Sequence, residues 1–153
     1  MGTTYSVQKT KWDQDSPTTN IKPNEMAGRV RIAYALYEAA AVAVGDIQMF
    51  NLPNGARILS GEVVHDALGG STTVSVGHAA YKNSAGTVVA LDVDEFKAAA
   101  ASTGIATVGC ALTSALGKNS VVDADADGMP ITVVTAGAAA TGTIELTMMY
   151  VID

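Results

Sequence analysis

Basic residues, aromatics and cysteine are all scarce in this chain. Nine Lys and Arg stand against fifteen Asp and Glu, a formal net charge of −6. Neutralising a phosphate backbone takes a basic patch, so no nucleic-acid partner is expected. The single cysteine, Cys110, excludes a disulfide within the chain, and no charged-then-apolar leader opens the sequence, so it reads as made in a reducing cytosol. Only two Phe, one Trp and five Tyr occur, which leaves packing to Val, Ile, Leu and Met among many small alanines and glycines. Thin, closely approaching layers suit that composition better than a bulky helical core. Long apolar runs are missing too. The longest uncharged stretch, residues 98–117, has only Ile105, Val108, Leu112 and Leu116 as large aliphatics, too few for a convincing membrane span, and no membrane partner is expected.

What is present fits one domain. A chain of 153 residues buries roughly 68–70% of its unfolded surface on folding. Its charge is uneven. Residues 1–29 hold Lys9, Lys11, Lys22 and Arg29 against Asp13, Asp15 and Glu25, a balance of +1, while the remainder sets five bases against twelve acids, a balance of −7.

Residues 1–28 show neither helical nor strand periodicity and contain Pro17, Pro23 and several Ser, Thr and Asn. They are expected to form an extended N-terminal arm, ordered mainly by what it touches. Stretched out, such a segment reaches roughly 90 Å, several times the radius of the domain behind it. Trp12, the only tryptophan, sits in this arm. An extended chain can add to a neighbour's sheet edge and seat its side chains in pockets. The candidate binding residues are therefore Tyr5, Val7, Lys9, Lys11, Trp12 and Arg29.

From Gly28 onward the pattern is that of strands. Val30, Ile32, Tyr34 and Leu36 alternate with Arg29, Arg31, Ala33 and Ala35, which marks a strand with one buried side. Residues 38–44 are alanine-rich and read as a turn of helix, broken at Gly45-Asp46. Strands are expected at residues 47–52, 58–65, 72–76, 88–91, 131–135 and 143–152, with turns at Pro53-Asn54-Gly55, Gly69-Gly70 and residues 83–86. Asp92 followed by Glu95 resembles a helix start, so FKAAAAS predicts one or two helical turns. Residues beyond Gly104 read as weak strands or loops. In the last strand Ile144, Leu146, Met148, Tyr150 and Ile152 share one face. About seven or eight short strands separated by Gly, Asn and Pro turns predict an all-β domain over residues 29–153, an antiparallel β-sandwich of jelly-roll type.

Two stretches invite a chemical reading. HDALGGSTTVSVGH, residues 65–78, carries both histidines, with Asp66 and Ser71 close by. It lacks the G-x-S-x-G elbow and the strand-to-helix context that expose a nucleophilic serine. His65 and Asp66 are neighbours that point to opposite faces in strand geometry. The stretch reads as a strand corner, and no catalytic residue is assigned. Asp123, Asp125, Asp127 and Gly128 reproduce D-x-D-x-D-G, the first half of a calcium loop. The second half fails, because Ile131 and Val134 occupy positions where ligands are required and Pro130 breaks any exit helix. A solvated acidic turn is expected, with no metal and no cofactor.

Several phrases together carry a resemblance: LPNGARIL, HDALGGSTTVSVG, DVDEFKAAAAST and PITVVTAGAAATGTIELTMMY. In that order, across residues 29–153, they resemble small tailed-bacteriophage virion proteins of the capsid decoration or cement type. The resemblance implies a β-sandwich module, not an enzyme, made in the host bacterial cytoplasm. It would bind the major capsid protein on the surface of the assembled head and stabilise it, as a trimer or dimer. The competing readings are a head-fibre base or tail component, and a calcium-assisted carbohydrate-binding jelly roll. The last needs solvent-facing aromatics as a stacking platform, and alternation instead turns Tyr34 and Tyr150 toward the core.

Overall fold

The computed structural model describes residues 6–12, 28–102, 105–108 and 121–152. Within the arm, Val7–Trp12 forms a short helix, α1, where an extended path was expected. Ser6 starts it: its Oγ accepts the Lys9 N–H at 3.1 Å, and its carbonyl accepts the Thr10 N–H at 3.0 Å. A serine cap satisfies backbone donors locally, so this turn does not depend on an apolar period.

Ten strands follow among the described residues: β1 (Val30–Val42), β2 (Gly45–Leu52), β3 (Arg57–His65), β4 (Thr73–His78), β5 (Tyr81–Lys82), β6 (Val88–Val89), β7 (Asp92–Ala101), β8 (Ile105–Val108), β9 (Met129–Ala136) and β10 (Ala140–Val151). One sheet has the order β1-β10-β3-β8 and the other β2-β9-β4-β7. β5 and β6 form a separate hairpin, closed where Asn83 accepts the Gly86 N–H and donates to the Thr87 carbonyl. All pairings are antiparallel, and β1 with β10, β2 with β9, β3 with β8, and β4 with β7 make four nested pairs. The chain is thus one long hairpin folded over so that successive pairs fall in opposite sheets.

The apolar faces of the two sheets meet in a single core. Ile58, Val63, Ile144, Leu146 and Met148 come from the first sheet, and Leu52, Val74, Val76, Phe96, Ile131 and Val133 from the second. Each such side chain, fully buried, contributes about 1.5–3 kcal/mol relative to exposure. The face Ile144, Leu146, Met148 and Tyr150 is inward, as its alternation predicts, but the register against β3 shifts between Met149 and Tyr150, and Val151 is buried while Ile152, expected on that face, lies half-buried beyond the strand.

Besides α1, three expectations are corrected. Residues 38–42 continue β1 and are not a helix, because Glu38 and Ala39 stand opposite Thr143 and Gly142 and the β10 ladder outweighs alanine's helix propensity. Ala41, at φ 54°, and a register shift between Ala39 and Val42 then end the regular pairing. Residues 92–101 are likewise strand β7. Asp92 Oδ1 does accept the Asp94 N–H at 3.2 Å, as a cap would, but pairing with β4 and burial of Phe96 decide the outcome.

The third correction concerns β1. Val30, Ile32, Tyr34 and Leu36 share a face as expected, but that face is outward, at 56, 65, 56 and 54% exposure. Ala39 is buried instead, and Ala33 and Tyr37 pack on the core. Alternation fixes which residues share a face, not which side is covered. The small inward side chains let β1 lie close over the core.

Two positions require glycine, one for its backbone angle and one for a close backbone approach. Gly55 holds φ 78° in the Asn-Gly turn between β2 and β3. At Gly77 on β4 there is room for no Cβ at all, since one would overlap the Asp92 carbonyl and the Val93 backbone. Ser75 Oγ donates to the Val93 carbonyl at 2.9 Å across the same junction.

Candidate functional site

The two histidines do not meet. His65 ends β3 opposite Ile144, and His78 ends β4 opposite Ile131, so they lie at opposite ends of the sandwich. Both are buried, and each ring Nδ1 lies against the carbonyl of the next residue, Asp66 at 2.9 Å and Ala79 at 3.0 Å. Asp66 Oδ2 accepts the Thr143 N–H at 2.8 Å, so the carboxylate ties the β3 end to β10. These are corner contacts, as the sequence suggested.

His78 belongs to a larger cluster. Its ring meets Tyr81 edge-on at 5.3 Å and Phe96 at 6.5 Å. Burial pushes the Glu95 carboxyl above its usual range, and the neighbouring Asp92 carboxylate adds to this while His78 opposes it. Burial also raises the Tyr81 hydroxyl, helped by Asp123 and Glu95. Lys97 on β7 is buried with its Nζ donating to the carbonyls of Val74 at 2.8 Å and Ala98 at 3.1 Å. Desolvation pulls its ammonium below the usual value.

In the acidic loop the side chains are used as turn acceptors. Asp123 Oδ1 accepts the Ser84 N–H at 3.1 Å, and hydrogen bonding from the Ser84 side chain first and this N–H second lowers its carboxyl; Asp125 Oδ1 accepts the Asp127 N–H at 3.0 Å. The Asp127 carbonyl accepts from Asn51 Nδ2 at 2.8 Å. Beside them lies an open cleft of about 370 Å³ lined by Asn51, Tyr81, Lys82, Asp125, Asp127 and Pro130. Among the described residues, no three or more His, Cys, Asp or Glu side chains gather in a way that could hold a metal ion. Cys110 lies outside the described residues.

Of the arm's candidates, Val7, Lys9, Lys11 and Trp12 fall on α1, with Lys9 exposed and Lys11 half-buried. Tyr5 lies outside the described residues. Arg29 is exposed just before β1. No helix among the described residues is long and apolar enough to cross a membrane.

What the sequence reading missed is the outer face of the first sheet. Its apolar row on β1 continues onto β10 at Met149, opposite Ile32 and 38% exposed. A cue was available: the bulky members of the alternation could be outward, given that their partners are mostly alanines that suit a close inner layer.

The fold is similar to that of two solved chains. One is from the cyanophage Pam1 capsid asymmetric unit, with a TM-score of 0.57 and 18% identity, covering 82% of this chain and 86% of that one. The other is from the capsid of Ralstonia phage GP4, with a TM-score of 0.54 and 22% identity over the same shares of the two chains. At these identities the likeness is one of fold. No family model matches the sequence, and no curated protein does.

Proposed function

We propose that this chain is a structural protein of a phage virion, of the decoration or cement type, which binds the major capsid protein on the assembled head and stabilises the shell. The observation that carries the reading is the sandwich itself: over 82% of the chain it resembles chains from two phage capsids. The nested strand pairs also support a sandwich of jelly-roll type, an architecture common in viral capsid domains. The histidine stretch is absorbed into strand corners and the acidic loop into a turn, so neither supplies a competing reading.

In this proposal the domain over residues 29–153 forms the compact outer body, and its acidic balance keeps decorated particles apart in solution. Residues 1–28 make the attachment, with Tyr5, Val7, Lys9, Lys11, Trp12 and Arg29 as the contact residues. Trp12, seated in a capsid pocket, would be the principal anchor. Many copies held by modest contacts add up to a large effect on the shell, because each binds only the assembled state.

The test is location. Gold or fluorescent labelling of an epitope at the C-terminus, imaged on intact particles, is expected to mark the head lattice evenly. Label confined to the tail or to a single vertex would replace decoration with the tail or fibre-base reading.

A further inference from the structure

We propose that the outward face of the first sheet is a docking surface for an amphipathic helix of another protein, one whose apolar seam is flanked by Lys or Arg. The surface lies on the domain and not on the arm, so it goes beyond the attachment proposed above, and its test needs no shell. Val30, Ile32, Tyr34 and Leu36 stand in one row along β1, each more than half exposed, and Met149 widens the row from β10, opposite Ile32. Single apolar side chains in water are ordinary, whereas a contiguous row of large ones marks an interaction surface.

Charge selects the occupant. Glu38 continues the row on β1, Glu145 stands opposite Leu36, and Glu62 stands opposite Thr147, which in turn faces Tyr34 across the ladder. The Tyr34 hydroxyl donates to the Glu145 carboxylate, which seats that charge against the row. The bases of β1, β3 and β10, Arg31 and Arg57, stand opposite Tyr150 and Val151, at the other end. Around Tyr34 and Leu36 the face therefore carries three carboxylates, and none of their ladder partners is a base. Lys or Arg side chains on a partner complement these carboxylates, while nucleic acid and anionic lipid are repelled. A second copy would bring the same carboxylates and the same net charge of −6.

The sheet also decides the partner's conformation. β10 is paired on both sides, by β1 and β3, so the face over it offers side chains and no free backbone groups. A strand laid on that face would hold its own N–H and C=O groups against apolar side chains without partners, whereas a helix satisfies them internally. From Val30 to Leu36 the row runs six strand positions, roughly 20 Å at about 3.3 Å each. That is the length of about 13 helical residues at about 1.5 Å each. Four anchors spaced i, i+4, i+7 and i+11 fit the four side chains of the row, and cations beside that seam reach over β10 to Glu145 and Glu62.

The experiment uses the purified full-length chain without capsids, so its failure leaves the virion reading standing. The probe is a fluorescein-labelled synthetic helix with Leu at those four anchor positions, Lys on the flanks and Ala elsewhere. Fluorescence anisotropy is expected to show saturable binding. The same composition in scrambled order, and a version with Glu in place of Lys, are expected to bind roughly tenfold more weakly or worse. Ile32→Lys, and separately Glu62→Lys with Glu145→Lys, are each expected to weaken binding roughly tenfold or more with the far-UV circular dichroism unchanged. The glutamate pair lies outside the core and keeps the test decisive if Ile32→Lys alters the fold. Val88→Lys, at an exposed apolar position on the separate β5-β6 hairpin, is the control and is expected to bind as the parent does. No saturable binding, equal binding of the scrambled peptide, or folded face variants that bind like the parent would each overturn the proposal. Sedimentation equilibrium without peptide tests the other occupant: self-association abolished by Ile32→Lys would give the face to a second copy and overturn the proposal as well.

Discussion

Gly77 on β4 and Asp92 at the start of β7 approach so closely that the Asp92 carbonyl occupies the space a Cβ on Gly77 would need. This contact sets how tightly the outermost pair of the second sheet can close, and the Ser75 hydroxyl bound to Val93 holds it from the same side. Gly77→Ala is expected to cost about 1–3 kcal/mol, the range for forcing a methyl group into a packed interior. Gly70→Ala, with open space around it and no positive φ, is the control and is expected to stay within about 0.5 kcal/mol. Urea denaturation of both variants checks the pair.

The acidic loop is expected to bind calcium no more tightly than millimolar. Two of its carboxylates already accept backbone N–H groups, and the motif carries Ile131 and Val134 where ligands are needed. Calorimetric titration with calcium should show no micromolar site, and Asp125→Ala should leave the thermogram unchanged. A micromolar site abolished by that substitution would contradict the turn reading.

Glu95 makes stability depend on pH in a stated direction. Its folded carboxyl titrates above the usual value near 4.5, chiefly through burial and then through Asp92. The native state therefore holds its proton to higher pH than the unfolded chain does. The stabilisation from that proton is fully present below the unfolded value and is lost as pH rises through the folded one. Glu95→Gln is expected to shrink this decline between pH ~4.5 and neutrality, as measured by unfolding midpoints across the range. An unchanged profile would show that the burial of Glu95 does not carry the effect.

Much of the fold was legible because its signals are local. The alternation in residues 144–150 placed β10 and its inward face, and Pro53-Asn54-Gly55 placed the turn before β3. The errors came where local signals are degenerate. Alanine runs at residues 38–42 and 98–101 fit helix or strand equally, and only partners far along the chain, β10 and β4, settle the matter. The orientation of Tyr34 failed for a related reason, since its row is decided by what covers the other side of β1. The corner role of His65 and His78 was readable from the missing nucleophile elbow.

The central claim is attachment to an assembled shell through the arm, and co-sedimentation tests it most directly. Purified full-length chain, a variant lacking residues 1–28 and Trp12→Ala are each mixed with undecorated heads and pelleted. The account predicts saturable binding of the full-length chain, loss of most binding on deletion, and a weakening of roughly 2 kcal/mol, some thirtyfold, for Trp12→Ala. Full occupancy by the deleted form would move the binding surface to the sandwich, and no binding by the full-length chain would contradict the account altogether.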